Sequence, residues 1–304
     1  MSVTIKPLLL AMIVAFFTAC QTERQGAASA ETPHTEAFTT VTVRDSRLNE
    51  ISGIAASRKS QRVFWVHNDS GDKARIFAID NRGKTIGQVL LSGIKAVDWE
   101  DIATGPGPQS DSSYIYIGDI GDNRAIRDFK VIYRLSEPDI NKLKNQTFLT
   151  VSHFATIRFR LPDGARDCET LMCDPLSKNL YIVSKRENRV HVYELPFPQD
   201  TLRISQAKFL TRLPVTQITA GDIASSGRHI ILKNYLQIFY FPRAKGQSVK
   251  QALSHFPSFL PYKEEPQGEA LCFACDESGY YTISEMRHEP QTRLYFYPYK
   301  FKRP

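Results

Sequence analysis

The 304-residue sequence predicts an all-β protein built from five repeated sheets, and three observations support this prediction. A short phrase, in which one carboxylate precedes small and apolar residues, returns along the chain. Its carboxylates are 50, 69, 53 and 47 residues apart, a period typical of propeller blades. An apolar strand, a polar loop and a second β-rich run follow each copy. The fold class is therefore a single five-bladed β-propeller. A six-bladed ring, with the N-terminal region as a further blade, is the alternative.

The five blades span about 50–93, 98–162, 167–216, 220–262 and 267–304. A lone strand, Phe38–Val43, precedes the first repeat, whereas the fifth repeat is one strand short. We expect the N-terminal strand to complete the last blade and close the ring. Closure removes the exposed edges that an open β array would present.

Residues 1–37 lie outside the predicted propeller. Residues 1–19 have a single lysine and an apolar run too short to span a bilayer, which indicates a signal peptide. Its end, Phe17-Thr18-Ala19-Cys20, resembles the lipobox of bacterial lipoproteins, which implies lipidation of Cys20; an ordinary signal peptide is the alternative. Residues 20–37 are polar and small, as in a flexible tether. We expect an exported protein, lipid-anchored to a membrane of the bacterial cell envelope.

The charge and the cysteines exclude some classes of function. The net charge of +7 comes from scattered Lys and Arg, so we expect a monomer that does not bind nucleic acid. Four cysteines remain after Cys20. Cys168 and Cys173 share one predicted strand and are too far apart to pair. Cys272 and Cys275 have a zinc-like spacing but no neighbouring histidine pair, so buried or disulfide-linked cysteines are the preferred interpretation.

The repeated carboxylate predicts a metal site. The first strand of every propeller blade lines the central channel, so a residue at its start recurs around the axis at one height. The predicted ligands are Glu50, Glu100, Glu169, Asp222 and Glu269. Like charges so close raise one another's pKa, and a hard cation with oxygen ligands, calcium, would relieve the repulsion. The alternative is that each carboxylate caps a neighbouring blade through backbone N–H groups or an arginine such as Arg44 or Arg166.

Polar loops after the second strands should open at the same end of the channel as these carboxylates. Loops on a rigid ring commonly carry function. Candidate ligand-binding residues in them are His67, Asn68, Asp122, Asn123, Lys185, Arg186, Lys233 and Arg287. Asp69 and Asp119 are the candidates for orienting an attacking water. The cations suit an anionic small molecule such as a phosphate ester, although Asp and Asn in such loops also form plain turns.

Two resemblances to known families follow. The segments His67–Asp72, Asp98–Ala103 and Gly118–Asn123 are similar to a group of secreted bacterial propeller proteins, which implies the fold but little function. More distantly, the chain resembles the calcium-activated apyrases. These five-bladed propellers hold an axial calcium through one Glu or Ser from each blade, and they cleave nucleoside di- and triphosphates.

The apyrase resemblance implies roles for particular residues. Glu100, Glu169 and Glu269 fall where that family has Glu, and Glu50 and Asp222 fall where it has Ser. Two functions follow as hypotheses. One is a calcium-dependent phosphate-ester or nucleotide hydrolase. The other is a non-catalytic module, stabilised by calcium, that binds a ligand or a cell-envelope partner.

Overall fold

The computed structural model describes residues 38–69, 71–286 and 291–302, and these form a five-bladed β-propeller. Strands are numbered along the chain. Each blade is a small sheet whose innermost strand lies at the channel. The innermost strands are β2 (Ile51–Ala56), β6 (Trp99–Pro106), β11 (Cys168–Cys173), β16 (Ala220–Ile223) and β20 (Gly268–Phe273). Each of them contacts the innermost strands of the two neighbouring blades, so that together they form a closed ring.

Three further antiparallel strands extend each blade outward. The second strands are β3 (Val63–Asn68), β7 (Ser113–Asp119), β12 (Leu180–Ser184), β17 (His229–Lys233) and β21 (Gly279–Ser284). The third strands are β4 (Arg75–Asp80), β8 (Lys130–Ser136), β13 (His191–Leu195), β18 (Ile238–Pro242) and β22 (Thr292–Pro298). The fourth strands are β5 (Thr85–Leu91), β10 (Ala155–Arg160), β15 (Lys208–Arg212), β19 (Ser258–Leu260) and β1 (Thr39–Val43).

The hydrophobic core is divided among the five blade interfaces. Each interface of the described chain holds one buried apolar cluster. Trp65 of blade one and Trp99 of blade two, for example, are at most 1% exposed and share one cluster. Apolar burial is the main favourable term in folding, and here no blade achieves it alone.

The closing strand lies where the sequence predicts it. β1 pairs antiparallel with β22, from Thr39 opposite Phe296 to Val43 opposite Thr292. The N-terminal strand is therefore the outermost strand of blade five, and the prediction of five blades rather than six is confirmed.

Two blades carry a fifth strand that the repeat did not predict. The polar stretch 138–148 contains helix α1 (Ile140–Gln146), capped by Asp139, and leads into β9 (Phe148–Val151). β9 lies parallel to β5 of blade one, and β14 (Ile204–Gln206) lies parallel to β10 of blade two. Each added strand comes from the following repeat and covers an edge.

The second helix, the cysteines and the N-terminal segment complete the description of the chain. Residues 248–255 contain helix α2 (Val249–Leu253), which begins with a capping box formed by Ser248 and Gln251. Cys168, Cys173, Cys272 and Cys275 are all free, and the first three are buried. The predicted signal peptide, Cys20 and the tether lie outside the described residues. No helix within the described ranges has the length and apolar character needed to cross a membrane.

Replacing Gly83 with alanine should destabilise the ring closure. Gly83 lies in the turn between β4 and β5 at φ +76°, and a Cβ there would collide with the backbone of Thr42 in the closing strand. Gly93 also has positive φ (+82°) but has open space around it. We expect Gly93→Ala to cost roughly 1–2 kcal/mol from backbone strain alone, and Gly83→Ala about 2 kcal/mol more from the added overlap. Denaturant unfolding measures the stability of both variants. Equal losses of stability would contradict the close packing of this turn against β1.

Candidate functional site

The site at the channel end is built by β-bulges. In four innermost strands the pairing with the second strand shifts by one residue, and the residues at those shifts are Ser52, Glu100, Glu169 and Glu269. A bulge re-aims the side chain it carries. The three glutamates line one cavity of about 480 Å³ and are at most 4% exposed.

Glu50 does not share this level. It lies before β2 and is exposed, and its backbone carbonyl accepts the N–H of Asp69 at 2.8 Å. Ser52, two residues later, holds the bulge position instead. Its hydroxyl donates to the carbonyl oxygen of Glu100 at 2.7 Å, which ties blade one to blade two.

Asp222 also lies away from the three glutamates. It pairs opposite Ile231, inside an unbulged stretch of β16. Its carboxylate accepts the N–H of Ile223 at 2.8 Å and the N–H of Phe273, in the next blade, at 2.9 Å. This is the capping role that the sequence left open as the alternative.

Asp101 links blades two and three in the same manner as Asp222 links blades four and five. It accepts the N–H of Ile102 at 2.8 Å and that of Leu171 at 2.9 Å, and it is fully buried. The inner ring therefore contains two kinds of carboxylate. One kind bonds backbone N–H groups, and the other kind faces the cavity.

Two further aspartates join the cavity glutamates. Carboxylate oxygens of Asp69, Asp98 and Glu100 lie within 4.8 Å of one another, as do those of Glu100, Asp167 and Glu169. Asp98 and Asp167 were not predicted as site residues. Their signal was present in the sequence, because an Asp-x-Glu pattern occurs at the same place in blades two and three.

One ammonium group lies among the carboxylates. Lys185 Nζ is 2.9 Å from Glu169 Oε1 and 3.5 Å from Glu269 Oε1. The hydroxyl of Tyr235 donates to Glu269 Oε1 at 2.6 Å. Although burial lowers the pKa of Lys185, the neighbouring Glu169 and Glu269 raise it above its usual range, so this lysine is charged.

The Glu100 carboxylate has no such partner. It is 3% exposed and lines the cavity. In the described part of the chain, neither a backbone N–H nor a side-chain donor bonds to it. Burial, followed by the charge of Glu169, raises the pKa of Glu100 well above its usual range. A buried carboxyl group without a donor is costly when ionised.

Two carboxyl groups close to Glu269 also resist ionisation. Burial raises the pKa of Glu169 to about 8, even though Lys185 lowers it. Burial and the nearby Glu269 raise the pKa of Glu285 to about 8 as well. Near neutral pH, the mouth of the channel therefore favours protons or another cation.

Asp69 lines the cavity, whereas Asp119 does not. Asp119 is 1% exposed and accepts the guanidinium of Arg127 at 2.8 Å, together with the backbone N–H groups of Val97 and Asp98. These bonds occupy the Asp119 carboxylate, which therefore holds the surrounding backbone in place. Of the two aspartates predicted to orient a water, Asp69 is therefore the one that lies at the cavity.

Several predicted ligand-binding residues brace their loops instead. Asp122 accepts the N–H groups of Ile126 and Arg127 at 2.9 Å. Asn68 donates to the carbonyl of Arg47 at 2.6 Å and to Asp72 at 3.0 Å.

His67 is fully buried and is not available as a base. Its ring packs edge-on against Trp99, and its Nδ1 donates to the carbonyl of Asn68 at 2.8 Å. Burial lowers the pKa of His67 to about 4, so its side chain is neutral.

The predicted cations are divided between the cavity and the protein interior. Lys185 and Arg186 line the cavity, as does the uncharged Asn123. Arg186 Nε donates to Asp167 at 2.6 Å. Lys233 is buried instead, with its Nζ 4.5 Å from the centre of the Tyr262 ring. Its Nζ donates to the carbonyls of Asn234 at 3.0 Å and of Gly268, and burial lowers its pKa to about 8. Arg287 lies outside the described residues.

Comparison with known proteins adds a fold-level likeness only. No protein-family model and no curated protein matches the chain. Among solved structures, the chain is similar to one described as the structure of the Dos1 propeller, at 14% identity and a TM-score of 0.36. The match covers 83% of this chain and 69% of that one. The assignment as a propeller rests on the sheet pairing described above.

In the presence of a chelator, the protein should lose stability as pH rises from about 5 to 9. The folded pKa of Glu169, about 8, lies above its unfolded value of roughly 4.3. The stability that this group contributes is therefore complete below pH 4 and is lost as pH rises through 8. We expect the melting temperature in chelator to fall by roughly 5 °C or more over this range.

Glu169→Gln removes the titrating group and should flatten this pH dependence. The exposed Asp128, which pairs with Arg160, offers the control, since Asp128→Asn should leave the slope unchanged. Melting curves across pH measure each variant. A wild-type protein that becomes more stable toward pH 9 would contradict a raised pKa of Glu169.

Proposed function

We propose that this chain is an exported, lipid-anchored propeller that binds calcium at the axial cavity and binds an anionic small molecule there. The observation that carries the proposal is the Glu100 carboxylate, which is buried, faces the cavity and has no donor among the described residues. The export and the anchor rest on the sequence of residues 1–20 alone.

The donor set fits a hard cation. Glu100, Glu169 and Glu269 supply carboxylate oxygens from blades two, three and five, and calcium accepts six to eight oxygen ligands in flexible geometry. Ser52, which occupies the bulge position in blade one, agrees with the pattern of one Glu or Ser per blade that the apyrase resemblance implies. Lys185 neutralises one charge between Glu169 and Glu269 but leaves Glu100 uncompensated.

The rim of the cavity supports an anionic ligand. Arg186, Asn123 and Tyr235 line it beside the carboxylates. A guanidinium is a suitable donor to phosphate or carboxylate oxygens. A bound calcium would add a positive charge that polarises a ligand oxygen. Without a cation, the carboxylates of the cavity would repel the same ligand.

Calcium should raise the melting temperature of the wild-type protein, and Glu100→Gln should abolish that rise. At a calcium concentration about 100 times the dissociation constant, a ligand specific to the folded state raises the melting temperature by roughly 5–10 °C. Glu100→Gln should not lower the melting temperature in chelator, because it removes a buried charge without a donor.

Asp222→Asn is the matched control for Glu100→Gln. Asp222 also lies on an innermost strand, but its carboxylate bonds two backbone N–H groups away from the three glutamates. We expect Asp222→Asn to lower the melting temperature in chelator and to keep the calcium-induced rise. A rise that survives Glu100→Gln, or a wild-type protein indifferent to calcium, would overturn the axial calcium site.

A second candidate function is hydrolysis of phosphate esters, favoured by the position of Asp69. Its oxygens lie within 4.8 Å of those of Asp98 and Glu100, at the cavity wall, where it is placed to orient a water against a bound ester. Positioned acid–base groups typically contribute about 10²–10⁴-fold.

Asp69→Asn should reduce phosphate release from esters or nucleotides by at least about 100-fold in the presence of calcium. Asp128→Asn, an exposed position on blade two, should not change the rate. Phosphate release over a panel of esters measures both. If the wild-type protein binds calcium but releases no phosphate from the panel, the protein is a binding module and the hydrolase hypothesis is wrong.

A further inference from the structure

Glu100 belongs to two groups of carboxylates at the channel end. One group consists of Glu100, Asp167 and Glu169, and two of its members, Glu100 and Glu169, line the cavity together with Glu269. The other group consists of Glu100, Asp69 and Asp98. Within each group the ligand oxygens lie within 4.8 Å of one another, and only Glu100 belongs to both.

We propose that Asp69, Asp98 and Glu100 form a second, off-axis binding site for a divalent cation, and that Glu100 bridges this cation and the axial one. The inference rests on the proposed function, because it takes the axial cation as the neighbour. A single carboxylate has two oxygens and about four lone-pair sites, so it can serve two cations at once.

Glu100 supplies the observation that points to a ligand. It is 97% buried, it faces the cavity, and no donor from the described residues bonds to it. Glu169, by comparison, already contacts Lys185 at 2.9 Å, and Asp167 bonds both Arg186 and the N–H of Asp122. The charge without a partner is therefore on the residue that both groups share.

Gly121 gives a second, independent indication. A Cβ at this position would collide with Glu100 Oε1 and would come within 2.5 Å of Asp98 Oδ2. The absence of a side chain therefore allows the carboxylates of Glu100 and Asp98 to approach one another. Two carboxylates held together in this way repel unless a cation or a proton lies between them.

The expected ligand is a hard cation bound through oxygen atoms, such as calcium or manganese. Cations that share a bridging carboxylate lie about 3.5–4 Å apart in two-metal sites, where they hold opposite sides of a phosphoryl group. A second cation would therefore deepen the anion-binding role of the cavity.

Three variants separate the two sites. Asp98→Asn alters only the off-axis site, Glu269→Gln alters only the axial side, and Glu100→Gln alters the bridge. Asp222→Asn is the control that should bind as the wild type does. Calcium alone is the probe, and titration calorimetry on the full chain gives the number of ions, with circular dichroism to verify folding.

We expect about two calcium ions per chain for the wild type, about one for Asp98→Asn and about one for Glu269→Gln. Glu100→Gln should lose most of the binding at both sites. Manganese provides a second readout, because two bridged ions give an exchange-coupled electron paramagnetic resonance spectrum. Asp98→Asn should replace it with the six-line spectrum of an isolated ion.

The outcomes distinguish this inference from the proposed function. One ion in the wild type, lost in Glu269→Gln but kept in Asp98→Asn, would overturn the second site and leave the axial site standing. One ion lost in Asp98→Asn but kept in Glu269→Gln would overturn the axial site and the bridge, and would leave only a single off-axis cation. No bound ion in a folded wild-type protein would overturn both.

Discussion

Closure of the ring by β1 is the constraint on which the rest of the structure depends. Each blade buries its apolar residues only against its two neighbours, so the core exists as five separate clusters at five interfaces. The pairing of β1 with β22 completes the last blade and removes the edge that β22 would otherwise expose. With the ring closed, the five innermost strands contact one another around one axis, and side chains at their ends have little room to separate. The crowding of carboxylates at the channel mouth is a consequence of closure.

The inner ring contains two kinds of carboxylate, and they differ in the donors that stabilise their charge. Asp101 and Asp222 each accept two backbone N–H groups, one of them from the next blade, so they join the blades together. Burial outweighs those bonds even there, since it raises the pKa of Asp222 to about 6. Glu169 has Lys185 rather than backbone donors, and its pKa is raised further, to about 8. Among the described residues, Glu100 has neither kind of partner. Burial also raises the pKa of Asp101 well above its usual range, so the two kinds of carboxylate differ in the donors that they have rather than in the cost of burying their charge.

The sequence period predicts the number of blades because every blade repeats the same strand order, and the lone strand before the first repeat predicts the closure. The period does not locate a bulge. The bulge in blade one falls at Ser52, two residues after Glu50, and β16 has no register shift at Asp222. The Asp- and Asn-rich loops indicate function and turns equally well, and Asp119, Asp122 and Asn68 prove to brace their loops. Strands β9 and β14 pair with the preceding blade. This pairing joins residues that are far apart in the sequence, so no local sequence pattern predicts it.

The charge of the cavity implies an order of binding. Asp69, Glu100, Glu169 and Glu269 line it together, and Lys185 and Arg186 are the cations that line it with them in the described structure. Both cations are already engaged, Lys185 with Glu169 and Glu269 and Arg186 with Asp167. An anionic ligand that arrived first would meet carboxylates without a free counter-charge, in a partly desolvated cavity where repulsion is stronger than in water. A divalent cation that arrived first would meet oxygen ligands and would reverse the sign of the local field. Because Lys185 is tethered to Glu169 and Glu269 and carries one charge, it cannot take this role. Under the proposed function, the cation therefore binds before the anion.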